Sequence, residues 1–146
     1  MERIDSMDYL EKAAKLHDAG CNCCQAVIMC CAERYGLTEE QAYRLGAFFG
    51  GGMRCGEVCG AVSGALMGLG LEYGDENNRQ CGKSKEFLKA FKDAHGSILC
   101  RELLENPPSD PNPTPRTAEF YKKRPCARMV ILAAELMDKF IEEHPL

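Results

Sequence analysis

Apolar residues recur along most of this chain at intervals of three and four, the spacing of one helix face, and strand-like alternation is nowhere sustained. Asp5 or Ser6 can cap a first helix with Tyr9, Leu10, Ala13, Ala14 and Leu16 or His17 on its inner side, ending at Gly20. A second helix runs from Cys23 to about Tyr35 and stops at Gly36. Thr38-Glu39-Glu40-Gln41 has the form of a capping box and opens a third helix toward Phe48, which Gly50-Gly51-Gly52 then breaks. A fourth is expected from near Glu57 to Leu71, a fifth from Cys81 to Ala94, and a short sixth from Ile98 to Leu104. The last begins at Pro125, a residue suited to a helix start, and reaches Glu143. The expected fold class is therefore all-α, a compact helical bundle of about six to seven helices.

Two composition shifts refine this picture. The segment 106–116 holds five prolines and reads as a surface loop inside a single helical domain spanning 1–146, since only about 30 residues follow it. Gly56, Gly60, Gly64 and Gly68 recur at every fourth position and are expected on one face of the fourth helix. Each glycine costs roughly 1 kcal/mol against alanine inside a helix, so something must approach that backbone closely. A packed neighbouring helix is the first explanation; a bound group or a second subunit is the other.

With 45% hydrophobic and 27% charged residues, the chain has the balance of a globular domain, and its formal charge of -4 offers no basic field for nucleic acid. The start, Met1 to Asp8, lacks the pattern of a secretory signal. The longest apolar run, Val58 to Leu71, is about 14 residues and interrupted by glycines, short of the roughly 20 a membrane span needs. A soluble, cytoplasmic protein that partners neither membrane nor nucleic acid is expected.

Ten cysteines in 146 residues then become the main chemical signal. A chain of this length does not need disulfide staples, so thiols in a reducing compartment serve packing, metal binding or redox work. Cys21 and Cys24 form a C-x-x-C pair at the start of the second helix, where unpaired amides and the helix dipole favour a thiolate. Cys55 and Cys59 form a second pair beside the glycine loop at the start of the fourth. That loop lacks a following Gly-Lys-Ser/Thr and is not a P-loop. Cys30 and Cys31, flanked by Val27, Ile28, Met29 and Ala32, read as core packing, and the role of Cys81 is open. His17, His95 and His144 are scattered without metal-ligand spacing, and Arg54 and Glu57 read as solvated charges beside the turn.

The segments Asn22-Cys23-Cys24-Gln25-Ala26-Val27, Cys59-Gly60-Ala61-Val62-Ser63-Gly64, Cys100-Arg101-Glu102-Leu103-Leu104 and Cys126 together resemble the family of redox-active proteins named for its C-GCAxxG-C-C cysteine pattern. The resemblance runs from about Gly20 to Leu136 and places the four defining cysteines on Cys23, Cys59, Cys100 and Cys126. A similar domain in split-Soret cytochromes is associated with an iron-sulfur centre. The resemblance thus implies that these four ligate an iron-sulfur cluster for electron transfer or redox sensing, exchanging electrons with a donor or acceptor protein. Zinc, or no metal, is the alternative. A thiol-disulfide protein using Cys23 with Cys21, Cys24 or Cys59 is a second reading, and a structural or partner-binding module with zinc or packing cysteines is a third. Cys21, Cys24 and Cys55 are secondary redox candidates. The glycine-lined helix and the apolar run Met129 to Ala134 make a homodimer reasonable.

Overall fold

The computed structural model describes residues 6–75, 77, 79–103 and 126–145, with side chains from Leu10 onward and, in the last helix, from Arg128. The helices are α1 (Ser6–Asp18), α2 (Cys23–Cys31), α3 (Glu39–Leu45), α4 (Gly60–Tyr73), α5 (Gly82–His95), α6 (Cys100–Leu103) and α7 (Cys126–Glu143). Among the described residues there is no strand, only an isolated antiparallel bridge between Val58 and Leu99, and the fold is all-α.

All nine residues of α2 are buried, as expected of a helix carrying no charge on any face. It sits at the centre and packs against α1, α3, α4 and α7. Around it, α1 turns Ala13 and His17 inward, and α7 contributes Met129, Val130, Ala133, Ala134, Met137 and Phe140. Phe87 and Phe91 of α5 close the far side, with Phe140 edge-on to both Tyr73 and Phe87. The buried Arg34 and Asp138 approach to 3.7 Å, tying the end of the α2 region to α7.

Local chemistry explains most helix ends. The Thr38 box is present: its hydroxyl accepts from the Gln41 amide, and the Gln41 side chain accepts from the Thr38 amide. Gly20 ends α1 in a left-handed conformation, with Gly20 N–H donating to His17 O and Cys21 N–H to Leu16 O, the paired closure of a glycine-terminated helix. The second expected helix is divided. Its α part ends at Cys31, and Glu33–Tyr35 continues as a 3-10 turn up to the left-handed Gly36. Helix α3 stops at Leu45 rather than reaching Phe48, which is 80% exposed and has no core to join.

The start of α4 differs from expectation in a way that matters for the cysteines. Gly51, Gly52, Met53 and Arg54 all have positive φ, so the chain makes a left-handed turn over 52–56, and Gly56 lies in it at φ 76° rather than on the helix. For Met53 and Arg54 this costs roughly 1–2 kcal/mol each. Cys59, extended at φ -51° and ψ 131°, is the N-cap, and the helix begins at Gly60. The sixth helix is likewise shorter at its start, because Ile98 and Leu99 are held in the bridge to Val58 by Cys59 N–H donating to Ile98 O at 2.7 Å and Cys100 N–H to Glu57 O at 2.6 Å. Asp5 and segment 106–116 lie outside the described residues.

The remaining glycine row does what close spacing demands. A Cβ on Gly64 would stand 2.8 Å from Cys24 O and 3.0 Å from Val27 Cβ, and one on Gly60 would stand 3.1 Å from Cys24 N. On Gly68 it would meet Met137 Sδ at 2.5 Å. The face is occupied by α2 and α7 of the same chain, and Met129, Val130, Ala133 and Ala134 of the α7 apolar run are buried in the core, with Ile131 and Leu132 half-buried. No helix among the described residues is long and apolar enough to cross a membrane.

Gly64→Ala is expected to destabilise the fold by roughly 1–3 kcal/mol, because the atoms in the way are backbone and Cβ. Gly70→Ala, on the same helix with nothing within 4 Å, should stabilise by about 0.5–1 kcal/mol. Urea unfolding of the two variants under reducing conditions checks both signs.

Candidate thiol site

The site is assembled from helix starts. Cys23 is the first residue of α2, Cys59 is the N-cap of α4, Cys100 is the first residue of α6, and Cys126 is the first of α7. Sequence reading placed three of the four at helix starts, and Cys100 joins them. The dipole at a helix start favours negative charge on sulfur, while the amides of Cys59 and Cys100 themselves already donate to Ile98 O and Glu57 O. Cys23, Cys59 and Cys100 are buried, with 8%, 6% and 6% exposure, while the side chain of Cys126 lies outside the described residues.

Asn22 fixes the start of α2. Its side chain accepts from the Gln25 amide at 2.8 Å, and the Gln25 side chain accepts from the Asn22 amide at 2.9 Å. The same two side chains reach across to the end of α3: Asn22 Nδ2 donates to Gly46 O and Ala47 O, and Gln25 Nε2 to Tyr43 O. Gly50 packs against Asn22 so closely that a Cβ there would lie 2.6 Å from the Asn22 Cβ. The position of Cys23 is therefore set by backbone and amide contacts from α3 and the glycine loop.

The left-handed turn sets the other side. Gly52 lies against Cys100, where a Cβ would stand 2.7 Å from the Cys100 Cβ, and Glu57 N–H donates to Gly52 O at 2.9 Å. The bridge between Val58 and Leu99 then holds Cys59 and Cys100 on neighbouring segments. Gly60, directly after Cys59, is packed on the start of α2, where a Cβ would stand 3.3 Å from the Cys23 Cβ. The starts of α2 and α4 thus meet at Gly60, with Cys23 and Cys59 on either side.

The other cysteines separate by environment. Cys24 is fully buried, with its thiol 4.0 Å from Met67 Sδ. Burial first, and Cys59 beside it second, push its pKa from 9.0 up to about 12. The helix end therefore does not make Cys24 a thiolate: loss of water outweighs the dipole. Cys21, half-buried, turns its sulfur to Met29 Sδ at 3.9 Å, so the two members of the C-x-x-C spacing face different neighbours. Cys30 and Cys31 are core residues whose thiols donate to Val27 O and Ile28 O. Cys55 is exposed and belongs to the left-handed turn, not to the start of α4, with its thiol 3.5 Å from Gly52 O. Cys81 is exposed at the cap of α5.

One neighbour was not legible in the motif pattern. His17 is 1% exposed, and its Nε2 lies 3.9 Å from Cys23 Sγ. The available signal was its placement one turn after the buried Ala13 on the inner face of α1, six residues before Cys23 across a glycine stop.

Four cysteines at helix starts are the donor chemistry of a soft metal. Among the described residues, however, no three His, Cys, Asp or Glu side chains are grouped as a metal ion requires. Donor identity suits a cluster, and the donor grouping it needs is not met by the described side chains.

Fold and site together define an all-helical, cysteine-rich protein with buried cysteines at helix starts. The family model described as "Putative redox-active protein (C_GCAxxG_C_C)" matches residues 21–140, and the chain belongs to that family. No curated protein and no solved structure matches it.

The raised Cys24 pKa fixes a sign. A thiol with an unfolded value of 9.0 and a folded value of about 12 stabilises the fold fully below pH 9, and that contribution is lost as pH rises toward about 12. Denaturant unfolding across this window should show stability falling with pH, and Cys24→Ala should flatten part of the slope. An unchanged slope in the variant would count against the burial argument.

Proposed function

We propose that this protein is a thiol-disulfide redox protein whose working pair is Cys23 and Cys59. The observation that carries the reading is the packing of Gly60 on the start of α2, which sets Cys23 and Cys59 at adjoining helix ends while burial holds Cys24 neutral. Both members of the pair then have the helix-end environment that favours the nucleophilic thiolate. In the oxidising direction a partner disulfide accepts two electrons and two protons from the two thiols, leaving a Cys23–Cys59 bond and two partner thiols. The partner is a thiol or electron donor or acceptor protein, and a reducing compartment such as the cytoplasm suits the resting dithiol. Cys59 is the resolving thiol, and Cys55, exposed in the neighbouring turn, and Cys21 are secondary redox candidates.

A second reading is an iron-sulfur cluster, or zinc, held by Cys23, Cys59, Cys100 and Cys126. It is favoured by the position of all four at helix starts. A cluster there would supply one-electron transfer or redox sensing.

Thiol counting on protein purified without oxygen separates the two. Mild treatment with a small disulfide, followed by reductant, should remove and restore two thiols, and peptide mass spectrometry should find Cys23 linked to Cys59. Cys59→Ser should abolish the reversible pair with little loss of fold. Absence of a reversible pair together with stoichiometric iron and a visible sulfur-to-iron band would replace this reading with the cluster.

A further inference from the structure

We infer that His17 is the general base for Cys23, forming with it a thiol-imidazole dyad that makes Cys23 the attacking sulfur of the pair. This rests on the thiol-disulfide reading above and adds a residue that precedes the matched 21–140 segment.

The dyad is built by the reversal between α1 and α2. The closure at Gly20, with φ 111°, ends α1 one turn after His17 and sends the chain back so that α2 starts at Cys23 alongside it. His17 Nε2 and Cys23 Sγ stand 3.9 Å apart, both side chains are more than nine-tenths buried, and the contact joins two separate helices. The two helix ends bear on the pair with opposite signs. His17 is in the last turn of α1, where the negative end of the helix dipole favours an imidazolium. Cys23 is the first residue of α2, where unsatisfied amides favour a thiolate. Moving the thiol proton from Cys23 to His17 therefore places each charge at the helix end that stabilises it. Exclusion of bulk water strengthens the attraction between the resulting charges. Cys24, one residue on, lies against Met67 instead and is held neutral, so the bundle distinguishes two adjacent thiols by what each one touches.

The step balances with a disulfide as oxidant. The Cys23 thiol proton passes to His17 Nε2, and the sulfur attacks one sulfur of the incoming disulfide. The old sulfur-sulfur bond breaks, and the leaving thiolate takes the proton from His17. The Cys59 thiol then attacks Cys23 Sγ in the mixed disulfide, a Cys23–Cys59 bond forms, and the second partner thiol leaves with the Cys59 proton. Two protein thiols are oxidised and one disulfide is reduced to two thiols.

The test uses the full chain, fully reduced, with 4,4'-dithiodipyridine as the disulfide probe, acid quenching and peptide mass spectrometry to read each cysteine separately. His17→Gln keeps bulk without the base, and His17→Ala leaves space for added imidazole. The expected result is a fall in the Cys23 rate of about 100-fold or more in both variants, with the rates of the exposed Cys55 and Cys81 kept within about twofold. Added imidazole should restore the Cys23 rate in His17→Ala by about tenfold, which a packing role would not produce. A Cys23 rate unchanged in both variants, or one that falls together with Cys55 and Cys81 and without rescue, overturns the dyad. If Cys23 still forms its reversible disulfide independently of His17, only the dyad fails. If Cys23 of the unaltered protein does not react at all, the thiol-disulfide reading fails with it.

Discussion

The close approach of α2 and α4 is the constraint on which the rest of the structure depends. Gly60 and Gly64 let the backbone of α4 lie on Cys24 and Val27 at distances that no larger residue permits. That contact holds the uncharged, fully buried α2 at the centre, and α1, α3 and α7 then cover its remaining faces. It also fixes chemistry. Because the contact begins at the first residue of α4, the starts of the two helices meet, with Gly60 lying against Cys23 and Cys24.

Burial and helix-end fields compete at this junction, and at Cys24 burial wins. Cys24 has an N-terminal helix position, yet desolvation dominates, with Cys59 nearby adding to it, and keeps it protonated. Cys23 has the same helix start but faces an imidazole from α1. The thiol of Cys24 lies beside the Met67 sulfur and that of Cys23 beside the His17 ring. The difference comes from side-chain direction: successive residues at a helix start point about 100° apart and meet different neighbours.

The turn over 52–56 has a complementary role. Four successive residues at positive φ, two of them not glycine, are held by Glu57 N–H donating to Gly52 O, by the bridge between Val58 and Leu99, and by the Arg101–Glu57 ion pair at 2.8 Å. Strain of this kind persists where surrounding contacts over-determine the backbone, and such places cluster at working sites. Here it lays Gly52 against Cys100 and presents Cys55 to solvent.

Much of the architecture is local and could be read from the chain. The Thr38 box, the stops at Gly20 and Gly36, the buried pair Cys30–Cys31 and the glycine row from Gly60 to Gly68 each follow from neighbours a few residues apart. So did the placement of Cys23 and Cys59 at helix starts. The capping pair Asn22 and Gln25 was equally local and was passed over because the cysteines around it drew the reading. What tertiary structure alone decided depends on residues far apart in sequence. Pairing of Val58 with Leu99 delays α4 to Gly60 and shortens α6; packing of α4 neutralises Cys24; and the reversal at Gly20 brings His17 to Cys23. Spacing along a chain encodes which face a residue occupies. The dielectric and the charges that meet that face are set only when the helices close on one another, and those quantities determine which of ten thiols can react.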